Sequence, residues 1–303
     1  MPEVVLEPEV LSSLAPFRRS LRRADAGLAR PLPWIELDDP WAIFVSEVML
    51  QQTSTRRVLE PWRRFVTTFP TPEICATAPL SDVLRHWSGL GYPRRAKSLH
   101  DAAMIMTEHF AGRVPSDPKE LLLLPGVGLY TANAVASFAF GERVAVLDTN
   151  VGRVLARALV NRPLRPREAQ TLATTLLPRS RVAAFNQALL DLGAQFCTST
   201  PRCAECPVAP QCRWRREGGD DPAPRSAGVS RPQRAFAGSD RQVRGRIMKT
   251  LAQGALRTNH LQVRLGDVDV VRLTRLVDDL VNDGLVERCA NVLALSGDHG
   301  THQ

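Results

Sequence analysis

Several features that mark other classes of protein are missing from this sequence. No apolar run is long enough to span a membrane, and the N-terminus lacks the basic and then apolar order of a signal peptide. We therefore expect a chain of the cytosol with no membrane partner. No run long enough to build a sheet alternates polar and apolar residues, so the core is expected to be all-α.

Acidic residues are fewer than basic ones. Lysine and arginine total 39 against 31 aspartates and glutamates, which gives a formal net charge of +8 and a pI near 9.7. Such an excess favours a polyanionic partner. At 303 residues, 44% of them hydrophobic, the chain has the length and composition of about two globular domains.

Cysteine is also scarce, but four of the six cysteines fall close together. Cys197, Cys203, Cys206 and Cys212 are separated by five, two and five residues. In a reducing compartment such a group indicates a metal site before it indicates disulfides. The uneven spacing favours a [4Fe–4S] cluster over a zinc ion, whose sites more often have two close pairs, and free thiols are the third alternative.

A Pro-Gly-Val-Gly turn at 125–128 lies between two helical patterns. Asp117 is expected to cap the first helix, and the second is expected to run from Leu129 to just before Gly141. The two glycines of the turn allow positive φ and leave backbone N–H groups available. Because these donors lie at a helix N-terminus, the turn suits one phosphate group, although a simple tight connection is the alternative.

Two acidic residues occupy positions where a carboxyl group could act chemically. Glu47 lies on the polar stripe of an otherwise apolar helical segment, expected from Trp41 to Arg57, and burial there would raise its pKa. Asp148 ends a short extended run and precedes another helical pattern. The simpler alternatives are a solvated side chain for Glu47 and helix capping alone for Asp148.

The composition changes after the cysteines. Residues 218–239 are rich in Gly, Pro, Ala, Ser and Arg without periodicity, which is typical of a linker. Residues 240–303 then have helical patterns followed by a hairpin pattern, the order of a winged-helix module. Aspartates on the second of these helices would repel a nucleic-acid groove, so we do not expect it to read a major groove.

Six linked motifs span the chain from about Leu32 to Arg213. They are VSEVMLQQT at 45–53, GLGY at 89–92, LPGVG at 124–128, LDTNV at 147–151, FNQALLDLG at 185–193 and the four cysteines. Together they closely resemble MutY-type adenine DNA glycosylases, in particular an actinobacterial-like branch, within the helix-hairpin-helix and endonuclease III superfamily.

The resemblance implies a fold and a domain order. We expect an all-α, two-lobed helix-hairpin-helix DNA glycosylase domain at 1–217, with an iron–sulfur loop at 197–212 that holds a [4Fe–4S] cluster. The linker at 218–239 and the small winged-helix-like C-terminal module at 240–303 follow. The active cleft is expected between the two lobes.

The resemblance also implies roles for individual residues. Glu47 matches the general acid, Asp148 matches the carboxylate that stabilises the sugar cation, and Asn150 would hold Asp148 or the catalytic water. Tyr130 stands where bifunctional relatives carry a Schiff-base lysine, which implies a monofunctional enzyme. The remaining positions are Gln52, Thr53, Leu90 and Tyr92 at the base opposite the excised one, Trp34 and Gln187 at the adenine pocket, and Pro125, Gly126, Val127 and Gly128 on phosphate. For Trp34, Leu90 and Tyr92 core packing is the alternative.

The implied substrate is double-stranded DNA in which adenine is mispaired with 8-oxoguanine or guanine. The base would be flipped out and excised to leave an abasic site, by a monomer acting at the bacterial nucleoid. The alternatives are a related glycosylase that removes thymine or uracil opposite guanine, and a non-catalytic DNA-binding protein on the same scaffold.

The sequence departs from the family pattern at three places. Ile35 follows Trp34 where the family usually has arginine, and the first gap between cysteines is one residue shorter than usual. The MutT-like C-terminal domain that reads 8-oxoguanine in the family is not recognisable. Specificity for 8-oxoguanine over guanine is therefore implied by the catalytic domain alone.

Overall fold

The chain divides into two compact units, each assembled from two separate stretches of sequence. The computed structural model describes residues 5–229 and 235–298, so residues 230–234 of the predicted linker and both termini of the predicted domains lie outside the described residues. Unit 1 comprises Met1–Ile35 and Leu129–Pro232, and unit 2 comprises Glu36–Gly128 and Gln233–Gln303.

Helices make up most of the described chain, as predicted. In chain order they are α1 (Pro8–Leu28), α2 (Pro40–Leu50), α3 (Thr55–Thr68), α4 (Pro72–Thr77), α5 (Leu80–His86), α6 (Arg94–His109), α7 (Pro118–Leu121), α8 (Leu129–Phe140), α9 (Thr149–Val154), α10 (Pro166–Leu176), α11 (Val182–Gln195), α12 (Arg213–Glu217), α13 (Asp240–Leu251), α14 (Thr258–Arg264) and α15 (Val270–Asn282). A π-helix, Leu155–Val160, continues α9. Of the described helices, none is both long and apolar enough to cross a membrane.

Unit 1 has one extensive apolar core, and α1 contributes a complete face to it. Val10, Leu14, Phe17 and Leu21 recur at helical spacing and are at most 2% exposed. They join buried side chains from α8 to α11 in the same cluster. The N-terminal helix is therefore part of the core of unit 1 and packs against α11.

In unit 2, α2 is buried along nearly its whole length and begins at a well-defined cap. The Asp39 carboxylate accepts hydrogen bonds from the backbone N–H groups of Trp41 (2.9 Å) and Ala42 (3.3 Å). Pro40 takes the first helical position, where its missing N–H costs nothing. This start places every residue from Trp41 to Met49 in the interior.

The prediction of one continuous helix from Trp41 to Arg57 is wrong. The helix α2 ends at Leu50, and α3 begins at Thr55. Between them Gln52 adopts the left-handed conformation at φ 55°, which a continuing helix cannot contain. No glycine or proline marks this interruption in the sequence.

The C-terminal module in unit 2 has the order of a winged helix, as predicted. After α13 come the short strand β1 (Leu256–Arg257), then α14 and α15, and then the hairpin strands β2 (Val286–Cys289) and β3 (Val292–Leu295). The three strands form an antiparallel sheet in the order β1-β3-β2. The hairpin was predicted but β1 was not, because a strand of two residues is too short to show an alternation of polar and apolar side chains.

Most aspartates of the module are paired with arginines, whereas Asp269 caps α15 by accepting from the Arg272 backbone N–H (2.9 Å). The pairs are Asp267 with Arg246 (2.6 Å), Asp278 with Arg288 (2.7 Å), Asp279 with Arg275 (3.4 Å), and Asp283 with both Arg94 and Arg244. The repulsion of nucleic acid predicted from these aspartates is therefore largely compensated within unit 2.

The described part of the predicted linker, 218–229, packs against unit 1. Ser226 is buried, and the Ala227 N–H donates to the Leu164 carbonyl (2.9 Å). The Thr149 hydroxyl donates to the Gly228 carbonyl (3.0 Å) at the start of α9. This stretch is thus held to unit 1 by backbone hydrogen bonds, which its composition did not indicate.

Candidate active site

Glu47 lies in the buried interior of unit 2. It is 4% exposed, and its neighbours Phe44, Val45 and Val48 on α2 are buried as well. The alternative of a solvated side chain is therefore wrong. A carboxyl group in such surroundings is shielded from bulk water.

One arginine of α6 organises the loop that follows α2. The Arg95 guanidinium donates to six oxygens of this loop and of the loop before α6. The acceptors are the carbonyls of Val48 (3.0 Å), Met49 (2.8 Å), Gln51 (2.6 Å), Leu90 (3.3 Å) and Gly91 (3.0 Å), and the Thr53 hydroxyl (2.9 Å). Burial lowers the pKa of Arg95 to about 10, which leaves it charged at neutral pH. Arg95 thus satisfies carbonyls that a further turn of α2 would have used.

The residues expected at the base opposite the excised one are neighbours in unit 2. The Thr53 hydroxyl donates to the Leu90 carbonyl (3.4 Å), and the Leu90 side chain is 2% exposed and packs in the core. Tyr92 adopts φ 49°, and the Arg95 guanidinium lies 5.5 Å from its ring centroid. Gln52, which is exposed, lines the same cavity as Tyr92.

The Pro-Gly-Val-Gly turn requires glycine at one position for two reasons. Gly126 has φ 76°, and a Cβ built on it would lie 2.7 Å from the Cβ of Ser98 on α6. The Gln51 side-chain amide donates to the Gly126 carbonyl (3.1 Å). The turn is therefore tied both to α6 and to the loop after α2.

The rest of the turn is less constrained. Pro125 is half-buried, and the Val127 N–H donates to the Leu124 carbonyl (3.2 Å). Gly128 is exposed and does not have positive φ, so the expectation of positive φ at both glycines holds for Gly126 alone. The two exposed glycines leave the backbone accessible to a phosphate group.

In unit 1, Asp148 caps α9, as expected. Its carboxylate accepts hydrogen bonds from the Val151 N–H (2.7 Å) and the Asn150 amide (2.6 Å). Burial raises the pKa of Asp148, and hydrogen bonds from Val151 and Asn150 and the nearby charge of Arg153 oppose this effect. The ionised carboxylate is therefore poorly solvated and would gain from a cation placed beside it.

Asn150 is fixed in turn by an arginine one turn further along α9. The Arg153 guanidinium donates to the Asn150 side-chain oxygen (2.6 Å), the Gly193 carbonyl (3.0 Å) and the Cys197 carbonyl (2.7 Å). Gly193 is needed here, because a Cβ on it would lie 2.6 Å from the Asn150 carbonyl. A continuous hydrogen-bonded series thus links Asp148 to the first of the four clustered cysteines.

Buried amides hold the extended segment that leads to Asp148. The Asn186 amide donates to the Val144 carbonyl (2.9 Å), and its oxygen accepts from the Val146 N–H (3.5 Å). The Asn133 amide donates to the Ala145 carbonyl (3.0 Å). Side chains of α8 and α11 therefore take the place of a neighbouring strand, so the segment stays extended without a sheet.

Trp34 and Gln187, expected at the adenine pocket, also lie in unit 1. Trp34 is 5% exposed, and the Gln187 amide donates to the Asp191 carboxylate (2.9 Å). Asp191 is 1% exposed and pairs with Arg30 (2.5 Å), and burial raises its pKa despite that pairing. Tyr130 is half-buried in the first turn of α8.

The four clustered cysteines surround one cavity in unit 1. Cys197, Cys203, Cys206 and Cys212 all line it, and all four thiols are free. In the part of the chain that the structure describes, no three metal-binding side chains converge closely enough to hold a single ion. Burial raises the pKa of Cys206 to about 11, so a metal group would displace protons on binding. Four cysteine thiols on one cavity are a donor set suited to a metal group.

The cavity also contains an arginine from the π-helix. Arg157 is 1% exposed and donates to the Cys197 sulfur (3.4 Å) and the Thr198 carbonyl (2.7 Å). Its charge is balanced by Asp221, at 2.6 Å. A buried cation beside these sulfurs would favour thiolates and an anionic cluster.

Several residues that build these sites were not predicted from the sequence, namely Arg30, Arg95, Asn133, Arg153, Arg157 and Asp191. Each contacts partners that are distant in sequence or are backbone carbonyls, so no motif spacing marks them. The available signal was position alone, since Asp191 lies within the motif at 185–193 and Arg95 and Arg153 lie close to recognised motifs.

Comparisons with known proteins agree with this architecture. Residues 45–179 match the HhH-GPD superfamily base excision DNA repair protein family. The chain is 42% identical to an adenine DNA glycosylase of Mycobacterium tuberculosis, over 95% of this chain and 96% of that protein.

Two solved structures are also similar. A thermostable thymine-DNA glycosylase has a TM-score of 0.62 and 28% identity, covering 68% of this chain and 97% of that one. A trapped endonuclease III–DNA covalent intermediate has a TM-score of 0.56 and 25% identity, covering 66% of this chain and 97% of that one.

The fold and these matches define a helix-hairpin-helix protein of base excision DNA repair. The similarity to the adenine DNA glycosylase extends over nearly the full length of both chains, which narrows the assignment from a superfamily to one family. This chain belongs to the adenine DNA glycosylase family. The predicted fold class and family are confirmed.

Proposed function

We propose that this chain is a monofunctional DNA glycosylase that hydrolyses the N-glycosidic bond of adenine mispaired with 8-oxoguanine or guanine. The observation that carries the proposal is near full-length similarity to an adenine DNA glycosylase in a chain that has both carboxyl groups, the buried Glu47 and the half-buried Asp148. Its substrate is double-stranded DNA, which the net charge of +8 favours, and it acts as a monomer.

Glu47 is proposed to donate the proton that makes adenine a leaving group. Protonation of N7 draws electrons from the glycosidic bond, so the C1′–N9 bond can break with adenine leaving as a neutral base. The support is the position of Glu47 in the buried interior of α2, where it is 4% exposed. The proton is recovered from the water that adds to C1′.

Asp148 is proposed to stabilise the positive charge that develops on the sugar as adenine leaves. Its carboxylate is already oriented by the Val151 N–H and the Asn150 amide, so little reorganisation is needed. Because burial disfavours the isolated anion, a sugar cation next to it is stabilised more than it would be by a solvated carboxylate. Asn150 is a positioning residue in this scheme.

Tyr130 supplies no amine, so a covalent imine with the sugar is not expected at this position. The product is an abasic site in an intact strand. Trp34 and Gln187 are proposed to line the adenine pocket. Gln52, Thr53, Leu90 and Tyr92 are assigned to the opposite base, and the turn Pro125, Gly126, Val127 and Gly128 to a phosphate.

Cys197, Cys203, Cys206 and Cys212 are proposed to hold a [4Fe–4S] cluster. The support is their common cavity and the buried Arg157 beside Cys197. When bound, the cluster would cross-link the loop 197–212 and so fix the Cys197 carbonyl to which Arg153 donates. Iron and sulfide analysis, together with the visible absorption spectrum of the purified protein, would distinguish a cluster from zinc.

A second candidate substrate is thymine or uracil opposite guanine. The observation that favours it is the similarity to the solved thymine-DNA glycosylase. Identity to that protein is 28%, against 42% to the adenine DNA glycosylase, so adenine is preferred.

The test is a single-turnover cleavage assay on duplexes that contain A·8-oxoguanine, A·G, T·G or U·G. We expect rapid loss of adenine, with strand breaks only after alkali, and the variant Glu47→Gln should be slower by about 10²- to 10⁴-fold. Loss of thymine or uracil, or strand breaks without alkali, would contradict the proposal. A Glu47→Gln variant as fast as the parent would remove Glu47 as the acid.

A further inference from the structure

The C-terminal module reaches the residues assigned to the opposite base. An open cavity of about 730 Å³ in unit 2 has Gln52 and Tyr92 on one side, and Ala235, residues 237–241 and Arg272 on the other. Its two sides are separated by more than 140 residues of sequence, as the Tyr92 to Arg241 separation of 149 shows. No sequence motif indicated that the C-terminal module takes part in the recognition of a DNA base.

Arg241 joins the two sides. Its guanidinium donates to the Tyr92 hydroxyl (2.6 Å) and lies 5.6 Å from the Tyr92 ring centroid. It also lies 5.2 Å from the ring of Phe236, which is 55% exposed. A large aromatic ring held next to a cavity-lining arginine, with half its surface exposed, is suited to stacking on a nucleobase.

The segment that carries Phe236 is fixed rather than loose. Arg272 donates to the Gly238 carbonyl (2.7 Å) and to the Asp240 carboxylate (2.8 Å). Arg275 also donates to the Asp240 carboxylate (2.6 Å), and Ser239 caps α13. These contacts position Arg241 in the first turn of α13 without needing DNA, so the cavity wall is preformed.

We propose that Arg241 of the C-terminal module, together with Phe236 at the end of the linker, completes the site for the base opposite the excised adenine. Arg241 donates to the purine oxygen O6, or to O8 of 8-oxoguanine, while Phe236 packs on the base. A guanidinium matches the oxygens of guanine and 8-oxoguanine, whereas it has no acceptor to offer to an amino group. This inference rests on the proposed function, since Gln52 and Tyr92 are assigned to that base by it.

The test compares two DNA duplexes that differ only in the opposite position. Both carry a non-cleavable 2′-fluoro adenosine, opposite either 8-oxoguanine or an abasic nucleotide, so only one of them offers a base to Arg241. For Arg241→Ala and Arg241→Gln we expect about ten-fold weaker binding to the 8-oxoguanine duplex and little change on the abasic one. Phe236→Ala should show the same selectivity. Arg241→Lys should recover part of the loss.

The matched control is Arg264→Ala, which removes an exposed arginine from α14 of the same module. It should weaken both duplexes equally, if at all, and unfolding midpoints of all variants establish that they fold. Equal losses on the two duplexes in Arg241→Ala would overturn the inference, because Arg241 would then act on phosphate or on the fold. Failure of the parent to excise adenine from any duplex would instead overturn the proposed function.

Discussion

Asp148 has two roles that a sequence motif does not separate. As the cap of α9 it stabilises a helix, and as a half-buried, partly desolvated carboxylate it carries a charge that the fold does not fully compensate. The first role favours the folded state, and the second opposes it at neutral pH. Such conflicts between stability and chemistry are expected where a catalytic charge must be poised.

The conflict predicts a pH dependence of stability. Because the folded-state pKa of Asp148 is raised above about 3.8, the folded protein binds more protons than the unfolded chain between the two pKa values. Stability due to this group is therefore full below about pH 4 and lost as pH rises through the folded pKa. The variant Asp148→Asn should lack this loss, as unfolding midpoints of both proteins between about pH 4 and pH 7 would show. A difference independent of pH would contradict the assigned pKa shift.

At the residue scale, the sequence indicated candidate catalytic residues and metal ligands more readily than the residues that hold them in place. Glu47, Asp148 and the cysteines stood out because the family resemblance implies a role for the residues at these motif positions. Arg95, Arg153 and Asp191 did not stand out. Most of their partners are carbonyls or side chains that are about 40 or more residues away in sequence, and others are only one turn of chain away. Spacing along the sequence cannot distinguish Arg95 and Arg153 from the many other arginines of the chain.

Among the elements, the turn after α7 shows where glycine is required and where it is not. A methyl group at Gly126 would lie 2.7 Å from the Ser98 Cβ. An alanine there would also have to adopt the left-handed conformation of Gly126, which costs about 1–2 kcal/mol by itself. At Gly128 a Cβ meets nothing within 4 Å. The two glycines of one turn are therefore a matched pair for mutation.

Gly126→Ala is expected to displace the turn and weaken binding to duplex DNA by about ten-fold, whereas Gly128→Ala should change it much less. Fluorescence anisotropy with a labelled duplex measures both, and circular dichroism checks that both variants fold. Equal affinities of the two variants would show that the conformation of Gly126 does not matter for the DNA contact.

The end of α2 gives a second prediction at this scale. Arg95→Ala would leave several buried carbonyls without their donor, and we expect a loss of about 2–4 kcal/mol in the free energy of unfolding. Urea titration measures the loss, with Arg64→Ala on the exposed face of α3 as the control. A loss below 1 kcal/mol, as is usual for an exposed arginine, would contradict the role given to Arg95.

The elements themselves were largely predictable. Helix starts such as Asp39 and Asp117 have cap residues followed by proline, and both begin helices where the local signals put them. The interruption at Gln52 was not predictable, because its cause is the Arg95 guanidinium from another helix rather than a local breaker. Tertiary contacts outweighed helix propensity there.

At the scale of the whole molecule, contacts join stretches that are far apart in sequence, so a division of the sequence into consecutive domains does not describe them. Residues 36–128 share a unit with the C-terminal module, and contacts such as that of Arg85 with Asp298 (2.6 Å) join them. A division of the sequence at composition changes cannot detect this, because the joining residues are far apart in sequence and individually ordinary.

Asp283 provides a test of that joining. Burial alone would raise its pKa, but hydrogen bonds from Arg94 on α6 and Arg244 on α13 outweigh burial and lower it. Stability from this carboxylate is therefore present above about pH 4 and lost as pH falls through the lowered pKa. Asp283→Asn should lower the free energy of unfolding by about 1–3 kcal/mol at pH 7, and by less at pH 3.

Chemical denaturation at the two pH values measures this difference. Asp278→Asn is the control, since Asp278 and its partner Arg288 are both more than one third exposed, and such pairs contribute about 1 kcal/mol or less. If Asp283→Asn and Asp278→Asn were equally stable at pH 7, the pairing with Arg94 and Arg244 would not hold the module in place.

The docking of α1 on α11 has a consequence for how the protein is made. During translation, α1 is complete before its partner helix α11 (Val182–Gln195) has been synthesised. Arg30 is likewise synthesised long before Asp191, with which it pairs. Meanwhile the helices from α2 to α7 emerge and can pack locally. The apolar face of α1 is thus exposed for roughly 150 residues of translation, or on the order of ten seconds at bacterial elongation rates. During that interval the nascent chain offers a binding site to chaperones that the finished enzyme no longer has.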